Sequence, residues 1–394
     1  MATNPQRAAA RSNKNNLESG VDSFMRRLDR FWQRVTEGLQ LSELWKQFRS
    51  DARSSYQLYS KDVDSTRMEG VTRGKHFFNV VVQFFWAILE KLTPARRVLL
   101  LIALVLVFMP SGAVTWSNES GRETVSFDMH FYGGLLMLLL LILEVGDRVV
   151  MKRDLQIAKE IQSWLLPATP PQVPGLQIAF ATRPANTVAG DYYDVFARPC
   201  TGANTFLIAV ADVAGKSIPA AMLMATFQAS LRTLSSTPGT LVELAGRMNR
   251  YVCSNSQNGR RFTTAFVAEY DPVTRLLTYI NAGHNNPMLR RKSGVIERLS
   301  LGGMPLGILE DAPYESASVT LESGDWLVIF TDGVVEAENN AQDEYGEPRL
   351  ITMLHAGVAL TPPQMLNSIM IDLDRFVAGA PQHDDVTCML LKAD

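Results

Sequence analysis

The sequence predicts an α+β protein in which antiparallel sheets carry helices on their outer faces, preceded by a membrane hairpin and a helical stalk. Three observations carry this expectation. First, apolar runs rich in β-branched residues end on aspartates: 206–211 runs into Asp212, 326–331 runs into Asp332, and 386–391 begins directly after Asp384 and Asp385. Runs of this length bounded by turn formers read as buried strands. Second, several strands follow one another directly between 263 and 290, which favours hairpins over strand–helix–strand crossovers. Third, two almost unbroken aliphatic stretches, 98–107 and 131–145, precede this half.

At 394 residues the chain has room for roughly two or three domains. The formal net charge of −2 makes no global case for nucleic acid. The charge is uneven, about +7 up to Arg97 and about −9 beyond it. This suits a basic segment beside an anionic membrane and an acidic domain elsewhere. The three cysteines, Cys200, Cys253 and Cys388, are isolated. Without paired spacing they suggest neither a disulfide framework nor a thiolate zinc site, and a reducing cytosolic setting is expected. The polar first 16 residues do not form a signal peptide.

Residues 1–20 read as disordered. From 21 to 39, Phe24, Leu28, Phe31, Trp32, Val35 and Leu39 recur at helical spacing among Arg26, Arg27, Arg30 and Arg34. This basic amphipathic helix either lies on a membrane surface or belongs to an N-terminal bundle; both readings stand. Residues 1–95 form a cytoplasmic N-terminal region. The aliphatic run from 98 extends through Pro110 to about Trp116, near the roughly 20 residues that cross a bilayer. A polar connection, 111–130, leads to the second run. Arg96 and Arg97 precede the pair, and Arg148, Lys152 and Arg153 follow it, so 96–147 is expected to be a transmembrane hairpin with both ends cytoplasmic. Residues 148–172 continue as a stalk, with Val150, Ile157, Ile161 and Trp164 approximating a short heptad seam that a second copy would cover. Pro167, Pro170, Pro171 and Pro174 end it.

From 173 to 394 one unit is expected. Strands fall near 177–183, 193–197, 206–212, 263–270, 276–281, 288–290, 316–321, 326–331 and 386–392, and helices near 218–234, 241–253, 349–355 and 363–376. The acids at the strand ends have no lysine or arginine beside them. Clustered hard oxygen donors of that kind suit Mg²⁺ or Mn²⁺.

The motifs in this half stand in a recognisable order: AGDYYD at 189–194, VADVAGKSIPAAMLMA at 210–225, FTTAF at 262–266, NAGHNNP at 281–287, GMPLGI at 303–308, FTDGVVEA at 330–337 and HDDVT at 383–387. In this the chain resembles the SpoIIE/RsbU branch of the PPM-type, metal-dependent serine/threonine protein phosphatases over about 155–392. The resemblance implies a PPM-type β-sandwich of two antiparallel sheets flanked by helices, with two Mn²⁺ or Mg²⁺ ions between the sheets. By position, Asp212 would bridge both metals, with the Val213 carbonyl as a further ligand. Asp332 and Asp384 would complete one metal site and Asp191 would hold the second ion. Asp212 and Asp332 are then the catalytic acids. Such metals acidify a water for in-line attack on phosphorus and offset the phosphate charge. Gly190 and Gly333 would permit close backbone approach.

Four further residues have two readings each. Asp385 is a ligand or a turn cap, and Asp194 supports the ligands or the fold. His284 contacts substrate or is a satisfied structural histidine, and Lys216 meets a phosphate or is merely solvated. Where the family commonly has glycine, Ala189 and Ser217 stand here, and Ala214 stands where serine is common. Ser217 suits a helix N-cap. The resemblance implies a phosphoprotein substrate, by analogy a STAS-type anti-sigma-factor antagonist, and an enzyme anchored at the cytoplasmic membrane. A catalytically silent scaffold of the same fold is the alternative, and the intact acids at 191, 212, 332 and 384 argue against it. AGDYYD resembles a diguanylate-cyclase loop, but the remaining motifs do not fit one, and no phosphate-binding glycine pattern supports a kinase.

Overall fold

A computed structural model describes residues 85, 86, 89 and 91–394, apart from 111, 119–120, 199–204, 216 and 256–260. The amphipathic stretch 21–39, Lys216 and Cys200 lie outside the described residues. The chain divides into two compact units at Val145/Gly146.

In the first unit, helix α1 (Pro94–Phe108) begins on a proline in its first turn, where the missing N–H costs nothing. It ends because Met109, directly before Pro110, is extended (φ −78°, ψ 133°). The run expected to continue to Trp116 is therefore broken. The connection read as a polar loop is instead a hairpin of β1 (Gly112–Asn118) and β2 (Gly121–Phe127), with Asn118 opposite Gly121. Helix α2 (Met129–Leu165) follows, and the division between the units falls within it. Its first part packs antiparallel on α1. Arg96 Nη1 reaches Glu144 Oε2 at 3.2 Å, and a Cβ on Gly133 would lie 2.7 Å from Val107 Cγ2.

The transmembrane hairpin expected over 96–147 is not supported. Among the described residues no helix is long and apolar enough to cross a membrane. At 15 residues α1 is about 22 Å long, and the apolar stretch of α2 is about as short, against about 30 Å of hydrocarbon. Both helices nonetheless expose aliphatic side chains, among them Val98, Val105 and Phe108 on α1 and Leu135, Leu141 and Ile142 on α2.

The second unit is a four-layer sandwich. One sheet has the order β10-β7-β6-β5-β4, with β11 also on β7, and the other β3-β13-β12-β8-β9. The first comprises β4 (Tyr192–Ala197), β5 (Phe206–Val213), β6 (Thr263–Asp271), β7 (Leu276–Ala282), β10 (Gly302–Gly303) and β11 (Ala317–Thr320). The second comprises β3 (Leu176–Arg183), β8 (Met288–Arg290), β9 (Ile296–Arg298), β12 (Trp326–Phe330) and β13 (Val386–Ala393). The pairings are antiparallel except that β10 runs parallel to β7 through Gly302 and Gly303. Helices α3 (Ile218–Ser235) and α4 (Leu241–Asn255) cover the first sheet. After the single-turn α5 (Asp332–Val335), α6 (Glu347–Ala356) and α7 (Pro362–Val377) cover the second.

Strand alternation explains the layers. Along β5, Ile208 and Val210 point between the sheets, while Leu207, Ala209, Ala211 and Val213 face α3 and α4. Along β13, Met389 and Leu391 point inward, while Val386, Cys388 and Leu390 face α6 and α7. Both faces of both sheets are thus buried, which is why these strands read as continuous apolar runs. Each fully buried Leu, Ile or Val contributes about 1.5–3 kcal/mol.

Two polar features fix the end of β4 and the start of α3. Arg198, only 1% exposed, holds Glu269 of β6 (3.0 Å) and donates to the Ser235 and Gly239 carbonyls, so it locks the α3–α4 turn to the sheet. Ser217 occupies the N-cap of α3 but makes no side-chain cap. It adopts φ 68°, ψ −150°, a region that is essentially glycine-only. The expected side-chain cap is therefore absent, and Ser217 carries strain.

Two outcomes follow. Arg198→Ala should lower unfolding stability by about 3–5 kcal/mol in a urea titration, because it leaves the partly buried Glu269 unpaired. Ser217→Gly should raise stability by about 1 kcal/mol through relief of strain. A Ser217→Gly protein no more stable than wild type would refute that assignment of strain.

Candidate active site

Antiparallel register brings the acids together. Asp212 is the penultimate residue of β5, and Tyr192 pairs with Ala211, so Asp191 stands beside Asp212. Phe330 pairs with Cys388, so Asp332 leaves β12 where Asp384 and Asp385 enter β13. The two pairs belong to different sheets, and hydrogen bonds lace them. Thr331 Oγ1 donates to Asp191 Oδ2 (3.0 Å) and accepts the Thr387 N–H (3.0 Å). The Gly190 N–H donates to Asp385 Oδ2 (2.6 Å), and the Ala185 N–H to Asp385 Oδ1 (2.7 Å). A Cβ at Gly333 would run into the Asp385 carbonyl, so only glycine fits there. Gly190 has a similar part. Its Cβ would lie 3.2 Å from both Ala220 Cβ and the Val213 carbonyl, so glycine lets this loop lie against the end of β5 and the first turn of α3.

The carboxylates act on one another. Burial, then the charges of Asp332, Asp384 and Asp385, push Asp212 up to about 7, opposed by a hydrogen bond with Asp191. Burial and then the Asp212 charge push Asp191 well above the usual carboxylate range, opposed by hydrogen bonds from Thr387 and Thr331. Asp385 is also raised, chiefly by burial, against the backbone N–H groups it accepts. A cluster of carboxylates that hold protons on one another in this way fits a hard divalent cation by its donor chemistry. The Val213 carbonyl lies at the same strand end. Among the described residues, however, no three Asp, Glu, His or Cys side chains stand close enough to hold a metal ion. Enclosing one therefore requires these side chains to move.

The other candidates have partners of their own. Asp194 is fully buried and makes a two-pronged pair with Arg232 of α3 (2.8 and 2.9 Å), while also accepting the Tyr192 hydroxyl (2.8 Å). It joins β4 to α3. His284 is 5% exposed. Its N–H donates to Asn281 Oδ1, its Nδ1 lies 3.2 Å from Thr264 Oγ1, and burial pushes the imidazole down to about 4, so it is neutral. It packs within the turn after β7. Glu336, exposed at the end of α5, caps that turn through its N–H to the Asp332 carbonyl. Beside the cluster lies a cleft of about 200 Å³ lined by Gly333, Asp384, Glu336, Arg183, Gln382 and His383.

Sequence reasoning missed Thr331, Thr387 and Arg232. The two threonines sit inside motifs already singled out, FTDG and DDVT, and cross-strand register would have placed them opposite each other. Nothing near Asp194 in sequence points to Arg232.

A family model described as Stage II sporulation protein E (SpoIIE) matches residues 202–394. Phosphoserine phosphatase RsbU of Bacillus subtilis is 31% identical over 250 residues, covering 63% of this chain and 72% of RsbU. Protein IcfG of Synechocystis is 29% identical over 273 residues, and there this chain spans only 42% of the relative's length. Among solved structures, the SiaA-PP2C domain of Pseudomonas aeruginosa superposes with a TM-score of 0.54 at 20% identity, covering 63% of this chain and 99% of the domain, and it shares the fold. With its acids, sheets and flanking helices in that arrangement, the chain belongs to the RsbU-like, SpoIIE-type family of PP2C phosphatases.

Proposed function

We propose that the chain hydrolyses phosphoserine or phosphothreonine on a small regulatory protein, of the STAS type that antagonises an anti-sigma factor, with two Mn²⁺ or Mg²⁺ ions as cofactors. One observation carries the reading: antiparallel register collects Asp191, Asp212, Asp332 and Asp384 from four separate stretches at one end of the sandwich, where burial, and then the charges of Asp332 and Asp384, raise Asp212 to about 7. RsbU and RsbP of Bacillus subtilis, both relatives, are phosphoserine phosphatases. Asp212, the Val213 carbonyl, Asp332 and Asp384 would hold one cation, and Asp212 with Asp191 the other. Bound there, the cations would supply an acidified water and offset the phosphate charge. The chain's own residues keep the donors in place. Asp385 pins the 185–190 loop through two backbone N–H groups, and Thr331 orients Asp191. Gly333 allows the turn of Asp332 to pass over Asp385. The cleft of Gly333, Glu336 and Arg183 opens beside them and is where the phosphorylated segment would enter.

The reading includes a place of work. The exposed aliphatic faces of α1 and α2, together with the basic excess before Arg97, support attachment at the inner face of the cytoplasmic membrane. Exposed Ile157, Ile161 and Trp164 on α2 support pairing of two copies along the stalk.

The purified chain should release phosphate from a phosphoserine peptide with Mn²⁺, lose this activity to a chelator, and lose about two orders of magnitude of it in Asp332→Asn. If calorimetry detects no Mn²⁺ binding and no metal supports turnover, the chain is a scaffold. On cell fractionation the chain should sediment with membranes and need detergent for release. Recovery in the supernatant after high-speed centrifugation would overturn the attachment.

A further inference from the structure

The loop that carries Asp191 is held from two sides. One side is Asp385, described above. The other is a residue of α2. Gln162 Oε1 accepts the Ala189 N–H (2.9 Å), and Gln162 Nε2 donates to the Ala189 carbonyl (2.7 Å). Gln162 is only 8% exposed, although most of its helix neighbours are exposed. A side-chain amide that meets both polar groups of one residue imitates a strand partner and fixes that residue's plane. Ala189 lies outside the sheet ladder, because β4 begins only at Tyr192, so its buried N–H and C=O depend on partners of this kind. The next residue, Gly190, is bound to Asp385, and the one after is Asp191, itself 1% exposed and bound to Thr331. The backbone of Ala189 and Gly190 and the carboxylate of Asp191 are therefore held at consecutive residues by groups from α2, from the turn before β13 and from the residue that follows β12.

We infer that Gln162 is a positioning residue for the metal centre: its amide clamp on Ala189 sets where the Asp191 carboxylate stands, and so how tightly the second cation is held. The inference rests on the function proposed above. Two physical points support it. The acids do not stand close enough to enclose an ion, so the affinity of the site depends on how little reorganisation is needed to close it. Asp191 sits only two residues beyond the clamp, and across so short a span a backbone rotation at Ala189 carries directly into its side chain. Partners that orient metal ligands typically change metal affinity by about 10–100-fold when removed.

The test uses the purified chain of 394 residues, with Mn²⁺ binding measured by calorimetry, unfolding by thermal melt, and turnover against Mn²⁺ concentration. The variant is Gln162→Met, which keeps the volume and removes both hydrogen bonds. A control, Leu373→Ala, lies in the core between α7 and the second sheet, away from the loop. The expected result is that Gln162→Met weakens Mn²⁺ binding about 10-fold or more and raises the Mn²⁺ concentration at half-maximal rate correspondingly, with a smaller change in the rate at saturating Mn²⁺. Leu373→Ala should lower the melting temperature and leave Mn²⁺ affinity unchanged. If Gln162→Met does not fold, Gln162→Glu replaces it. Glu keeps the acceptor for the Ala189 N–H and loses the donor, and a smaller loss of Mn²⁺ affinity is expected. Unchanged Mn²⁺ affinity in the folded Gln162 variant, or an equal loss in Leu373→Ala, would overturn the inference. Absence of Mn²⁺ binding by the wild-type chain would instead overturn the proposed function beneath it.

Discussion

Mutual repulsion of carboxylates at one end of the sandwich is the constraint that the rest of the unit answers. Asp191, Asp212, Asp332, Asp384 and Asp385 are brought together by strand pairing, where burial first, and then the neighbouring charges, disfavour the charged forms of Asp191 and Asp212. A cluster of this kind opposes folding. It persists because the strands bearing it are held elsewhere. The interior between the sheets, and each sheet's outer face against its helices, is lined by fully buried aliphatic and aromatic side chains such as Ile208, Phe266, Ile329, Phe330 and Leu390. Each such side chain contributes about 1.5–3 kcal/mol against the electrostatic penalty. The cost is local and the stabilisation is spread over the whole sandwich.

The acids also differ in how their charge is met. Asp385 is supplied with backbone N–H groups from Ala185 and Gly190, so its negative charge is partly neutralised by the chain itself. Asp191 has a threonine hydroxyl, a weaker partner. For Asp212 the neighbouring charges are those of further carboxylates. This gradient separates a carboxylate that shapes a loop from carboxylates left for something positive to occupy. Asp194 shows a third solution. It is more deeply buried than Asp385 but fully paired with a guanidinium and a phenol, so it fastens a helix to a strand and needs no further partner.

Much of this was legible in the sequence, and the reason is geometric. Strands buried on both faces give unbroken apolar runs, and residues at the ends of antiparallel neighbours meet in space. The punctuation of runs by Asp212, Asp332 and Asp384 therefore marked both the strand limits and a common end of the sandwich. What was not legible has equally physical causes. Hairpin β1–β2 is built largely from residues that are individually polar, and its central β-branched pairs, Thr115 opposite Thr124 and Val114 opposite Val125, signal only once the register is known. The apolar character of 98–107 and 131–145 was evident, but the reach of a span depends on helix length. Pro110 stops α1 at Phe108, well short of Trp116. Ser217 looked like a cap because its type is right, yet capping depends on backbone angles, and its φ of 68° points the chain elsewhere. Arg232 and Gln162 act across 38 and 27 residues, on an aspartate and on a backbone respectively, and no periodicity encodes such pairs.

The helix that carries Gln162 in its last turn has a further consequence for how the acidic cluster responds to its surroundings. Helix α2 is continuous for 37 residues, about 55 Å, with no proline inside it. Its last turn is fixed to the Ala189 backbone by two hydrogen bonds, and Leu166, one residue beyond, packs into both the inner core and the core beneath α3 and α4. A displacement of that last turn cannot be absorbed by a flexible joint at this point. It must either break the amide clamp, which leaves buried polar groups unsatisfied at about 1–3 kcal/mol each, or move Ala189 and with it Gly190 and Asp191. The second course keeps the hydrogen bonds and shifts one carboxylate relative to the others. In a site whose members repel one another, a shift of that kind changes how the carboxylates are spaced.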